Sequence, residues 1–176
     1  MPNVRGITTL MERVRDMFEA DAALNVGGFP NGYLKSVYVH QNSFWTKVPN
    51  VAAPCIVLND NGEPIQNITG SRGTNARVVR RTTDIELTVL IRYPQAETVL
   101  IGSNDADNVN SLGIIDFSHL VENAINAKKQ LTDGNGVPYV DTCTYTGWKN
   151  VEIEQDKLFM VGRQFILSYL GFQEVL

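Results

Sequence analysis

The chain has 176 residues, 43% of them hydrophobic and 19% charged, with a formal net charge of -4. That length suits one domain spanning residues 1–176, able to bury roughly two-thirds of its unfolded surface, so no disulfide or metal staple is required. The negative balance excludes overall attraction to nucleic acid or to an anionic membrane and leaves only a local basic patch for binding polyanions.

Two cysteines, Cys55 and Cys143, stand without CxxC spacing. The spacing argues against a zinc site and suits a reducing cytosol, with a bond between the two left open. No apolar run approaches the roughly 20 residues needed to cross a bilayer, and the residues after Arg5 are amphipathic, so neither secretion nor membrane anchoring is expected. The sequon-like Asn67-Ile68-Thr69 accordingly carries little chemical meaning.

Thr9-Leu10-Met11-Glu12 has the spacing of a capping box, which predicts a helix over 9–24. Leu10, Val14, Met17 and Phe18 share its apolar face, Arg13, Arg15, Asp16 and Glu19 take the others, and the Gly- and Pro-rich stretch 25–32 stops it. Strands are predicted at about 34–40, rich in β-branched and aromatic residues, and at 54–58, a short apolar run introduced by Pro54. The connection 41–53 carries Phe44-Trp45, suited either to packing under the sheet or to meeting a partner. Asn59-Asp60-Asn61-Gly62 reads as a turn.

Arg72, Arg77, Arg80 and Arg81 then lead into a strand predicted at 84–93, whose Ile85, Leu87, Val89, Ile91 and Tyr93 alternate onto a core face. From Tyr93 to Ala127 there is no Lys or Arg, and the charges are Glu97, Asp105, Asp107, Asp116 and Glu122. Residues 94–112 read as a long polar loop. Behind possible caps Asp116 or Ser118, the series Leu120, Val121, Ala124, Ile125, Lys128, Leu131 predicts a second helix over 117–131, ended by Asp133-Gly134-Asn135-Gly136. Strands at about 138–146, 148–154 and 163–171 close the chain. The order α–β–β–β–α–β–β–β predicts an α+β fold: a mainly antiparallel sheet packed with two amphipathic helices, with long loop insertions.

Catalytic chemistry finds little support. His40 and His119 are the two histidines, no GxSxG elbow accompanies them, and they read better as structural or surface residues. Glu152, Glu154 and Asp156 would line one strand face, but interleaved Val151 and Ile153 mark that face as the solvated side of a half-buried strand. Asp105-Ala106-Asp107 and Asp133-Gly134-Asn135-Gly136 resemble fragments of calcium loops without the closing glutamate. Phosphate loops of the GxxxxGK[ST] and GxGxxG types are absent. No catalytic, cofactor or metal residue is therefore expected, and no enzyme. The arginine group is able to cradle a phosphate backbone, which keeps a small nucleic-acid-binding domain using Arg72–Arg81 as an alternative. The same guanidinium forks pair equally with carboxylates of another copy of the chain, and the sign of the net charge favours subunit contacts.

The helix from Thr9 to Leu24, the run Pro54-Cys55-Ile56-Val57-Leu58 and the Gly- and Arg-rich loop from Gly70 to Arg81 form one part of a family pattern. The strand Asp84 to Tyr93, the helix Phe117 to Leu131 and the closing strand Arg163 to Gly171 form the rest. Together they resemble the tail terminator, or tail completion, proteins of long-tailed bacteriophages. The resemblance implies a non-enzymatic subunit of a hexameric ring that caps the tail tube and joins it to the head or neck. Its implied partners are its own copies, the tail tube protein and a neck or head-completion protein. DNA would pass through the channel without sequence-specific binding, and no membrane is involved. The location implied is the virion tail or neck, assembled in the host cytoplasm. Within such a ring, Arg72, Arg77, Arg80 and Arg81 are expected to meet Glu97, Asp105 and Asp107 of a neighbouring copy. Another neck or tail-tube protein is the nearest alternative.

Overall fold

The computed structural model describes residues 7–24, 36–40, 54–61, 65–66, 77–92, 113–132, 135–155 and 158–175. In chain order these form α1 (Ile7–Glu19), β1 (Ser36–His40), β2 (Cys55–Asp60), β3 (Ile65–Gln66), β4 (Arg77–Arg92), α2 (Ile114–Ala127), β5 (Thr142–Tyr145), β6 (Lys149–Gln155) and β7 (Leu158–Val175). The fold is α+β, as expected. Its seven-stranded sheet runs β1-β2-β4-β7-β5, with β3 beside β4 and β6 beside β7. Among the described residues only the β1–β2 pairing is parallel; β4 pairs antiparallel with both β2 and β7.

Strand alternation fixes which side is covered. Ile56 and Leu58 of β2, Ile85, Leu87, Val89 and Ile91 of β4, and Phe165, Leu167 and Tyr169 of β7 share one face and enter one buried cluster. Both helices complete it, α1 with Leu10, Met11, Val14, Met17 and Phe18, and α2 with Ile114, Phe117, Val121, Ala124 and Ile125. α1 packs over β1 and β2, and α2 over β4 and β7.

Several boundaries differ from the sequence reading. α1 starts at Ile7, so the Thr9 capping box falls inside the helix. It ends at Glu19, and Leu24 is buried by a separate turn in which the Asp21 carboxylate accepts from the amides of Ala23 and Leu24. α2 begins behind Gly113 without a side-chain cap. The expected caps lie within it: Asp116 adds charge to the first turn, and Ser118 donates to the Ile114 carbonyl at 2.6 Å. It stops at Ala127, ahead of the Asp133–Gly136 signal. Leu131 there adopts φ 47° while keeping its side chain buried, and Gly136 turns the chain at φ 76° between the bridged residues Thr132 and Pro138. Asn59 and Asp60, read as turn residues, are the last two of β2.

The largest difference concerns the ribbon of β4 and β7. Both strands exceed their predicted lengths, β4 by beginning at Arg77 and β7 by spanning Leu158–Val175, and they pair without a bulge from Arg77↔Val175 to Arg92↔Met160. The β-branched Val78, Val79, Thr82 and Thr83 give the basic segment strand character. Arg77, Arg80 and Arg81 are therefore strand residues, not a loop preceding one.

Candidate interface on the central ribbon

Sixteen paired residues at about 3.3 Å each make a ribbon roughly 50 Å long, and among the described side chains the apolar core residues of β4 are Ile85, Leu87, Val89 and Ile91. Its basic end is the stretch Arg77–Arg81. There β3 pairs with β4 at Arg80 and Arg81 alone. β5 and β6 pair with β7 only as far as Leu170. Among the described residues, Arg77–Val79 and Gly171–Val175 thus have a strand neighbour on one side only. Such edges carry backbone donors and acceptors open to a further strand.

Positions 77 and 81 share the parity of the core face and position 80 the opposite one. Arg72, Glu97, Asp105 and Asp107 lie outside the described residues, as do the connections 41–53 and 94–112, Phe44-Trp45 and Tyr93. Of the seven residues expected at a subunit interface, Arg77, Arg80 and Arg81 are placed on one strand.

The sheet face away from the helices is partly polar. Cys55, Val57, Thr88 and Leu90 lie on it fully buried, so the centre of the sheet is covered on both sides. Gln164 Nε2 donates to Thr88 Oγ1 at 3.3 Å. One step along the strands, Asn59 pairs with Glu86 in register and its Nδ2 donates to Glu86 Oε1 at 3.2 Å. Asp84 is two residues before Glu86 and so shares that face. Asn59 Oδ1 and Asp84 Oδ1 are both buried without a hydrogen-bond partner. The sequence reading passed over this cluster, although the alternation of Asp84 and Glu86 against Ile85 and Leu87 was a signal for it.

At the opposite face, the Trp148 indole N–H donates to the half-buried Glu122 carboxylate of α2. Trp148 also meets Phe165 edge-on at 4.1 Å between centroids and lies under the Arg163 guanidinium at 5.2 Å. This aromatic clamp ties α2 to β7.

The groups considered for catalysis are scattered. His119 is exposed on α2, with Nδ1 3.3 Å from Glu122 Oε2, and His40 is the last residue of β1. Glu152 and Glu154 lie on β6, and Asp156 is outside the described residues. Cys55 and Cys143 are both free and buried. Burial pushes the Cys55 thiol up to about 12 and the Cys143 thiol up to about 11, so at neutral pH neither supplies the thiolate needed for nucleophilic or redox work. Among the described residues no three His, Cys, Asp or Glu side chains form a metal-binding group, and no helix is long and apolar enough to cross a membrane.

No protein-family model matches the chain, and none of the curated proteins matches it in sequence.

Proposed function

We propose that this chain is a structural subunit of a bacteriophage tail, a tail terminator that closes the finished tube and joins it to the head or neck. The observation that carries the reading is the separation of charge along the sequence: Arg72, Arg77, Arg80 and Arg81 on one side, and Glu97, Asp105, Asp107, Asp116 and Glu122 in the cation-free stretch that follows. A contact joining the basic segment of one copy to the acidic segment of the next is heterologous, and it closes into a ring when its rotation divides a full turn. The ribbon supports this through Arg77–Val79 and Gly171–Val175, which among the described residues have a strand neighbour on one side only.

In this reading the partners are further copies in a hexamer, the tube protein below and a neck protein above. DNA passes through the channel unread, and the location is the virion, after assembly in the host cytoplasm. Function is steric: a docked ring covers the edge that would recruit the next tube ring. Carboxylates facing the channel would repel phosphates and keep DNA from sticking.

Native mass spectrometry with negative-stain imaging of the purified chain tests the proposal. A six-membered ring is the expected result. A substrate turnover lost on replacing one side chain would overturn it. Steeply salt-dependent DNA binding by a monomer would favour the nucleic-acid-binding alternative.

A further inference from the structure

We infer that Asn59, Asp84 and Glu86 form a binding site for a hard divalent cation, best suited to Ca²⁺, on the sheet face away from the helices. The inference is separate from the tail reading and would stand or fall without it. Two carboxylates at i and i+2 of β4 share one face, and Asn59 lies directly across from the second of them on β2.

Paired carboxylates alone would be an ordinary solvated strand face. Asn59 changes that assessment. It retains only 8% of its surface, and its Oδ1 has no hydrogen-bond partner although the same amide group is committed to Glu86 through Nδ2. Asp84 adds a second buried oxygen without a partner. Buried polar atoms are almost always satisfied, and here both orphans are acceptors on the strand face that also carries Glu86. Among the described residues, no cation or donor reaches these two oxygens.

The donor set selects the ion. All three groups offer oxygen, which favours hard cations over zinc or copper. Strand spacing holds them on a pleated surface without octahedral symmetry. Ca²⁺ tolerates irregular geometry and readily takes a carboxamide oxygen, whereas Mg²⁺ demands near-ideal octahedral placement. With two carboxylates and one carboxamide from the protein, water completes the shell. The affinity should be modest, on the order of 10⁻⁴–10⁻³ M, as for loosely built calcium sites.

The test titrates calcium chloride, with magnesium chloride in parallel, into the full chain at fixed ionic strength, followed by calorimetry and thermal unfolding. Saturating Ca²⁺ should raise Tm by about 2–4 °C, and Mg²⁺ by less. Asp84→Asn and Glu86→Gln should each abolish the response, while Asp116→Asn, on the exposed surface of α2, should keep it. Asn59→Asp supplies a third carboxylate and should bind Ca²⁺ several-fold more tightly, with folding that depends more strongly on the ion. Absence of binding heat and of any Tm shift in the parent chain would overturn the site, as would a response that survives in Asp84→Asn. Equal binding by Asn59→Asp and the parent would remove Asn59 from it.

Discussion

Gly162 of β7 lies directly across from Leu90 of β4, so close that a Cβ at position 162 would come within 2.9 Å of Leu90 Cδ2 and 3.1 Å of the Val89 carbonyl oxygen. Leu90 is fully buried, and the carbonyl belongs to a paired strand, so neither neighbour has room to retreat. Gly162→Ala is expected to cost about 1–2 kcal/mol, the overpacking penalty outweighing the usual entropic gain of replacing glycine. Urea denaturation at constant m-value measures it, and a variant as stable as the parent would show that the ribbon yields at this crossing.

The core was legible in the sequence because burial there follows strict periods. Leu10, Val14, Met17 and Phe18 at helical spacing, and Ile85, Leu87, Val89 and Ile91 in alternation, are all buried as their patterns require. The ribbon was less legible, since Arg77-Val78-Val79-Arg80-Arg81 mixes charge with strand propensity and only its long pairing with β7 decides the matter. Asn59 was misread because asparagine is common in turns, whereas here the register with Glu86 holds it in a strand. The proposed subunit role rests on charge placement along the sequence, which local patterns do not translate into contacts.

Charge reversal on the ribbon addresses assembly directly. On the proposed subunit reading, the double variant R80E/R81E is expected to convert rings into free subunits, with circular dichroism of the variant checking that the sheet in which both positions are paired is kept. Reversing two charges at a joint replaces attraction with repulsion, an effect that grows at low salt. Sedimentation velocity at two ionic strengths reads the outcome. Rings that persist unchanged would take these arginines out of the interface.

The link between α2 and β7 has its own test. Trp148→Phe keeps the ring against Phe165 but removes the N–H that Glu122 accepts, leaving a half-buried carboxylate with one donor fewer. A loss of about 1–2 kcal/mol is expected, since hydrogen bonds to charged groups exceed neutral ones. In a double-mutant cycle with Glu122→Gln the two changes should cost less together than separately. Strict additivity would mean that the indole contributes through packing alone.

Alkaline pH should weaken the fold through its two buried thiols. Burial raises the folded pKa of Cys55 to about 12 and that of Cys143 to about 11, against 9.0 for an unburied thiol. Their contribution is complete below pH 9. Above it the unfolded chain releases protons that the folded chain retains, so stability falls as pH rises, by up to about 1.4 kcal/mol per pH unit for each thiol. Cys143 stops contributing to the slope near pH 11 and Cys55 near pH 12. Tyr169, fully buried beside Cys143, is shifted upward mainly by its desolvation and steepens the decline once unfolded tyrosine begins to ionise, near pH 10. Chemical denaturation between pH 8.5 and 10.5 should therefore show a falling midpoint, and Cys55→Ala, although less stable at pH 7 through its cavity, should fall less steeply. Parallel slopes for parent and variant would mean that Cys55 ionises alike in both states, and that the sheet face on which it lies is open to water.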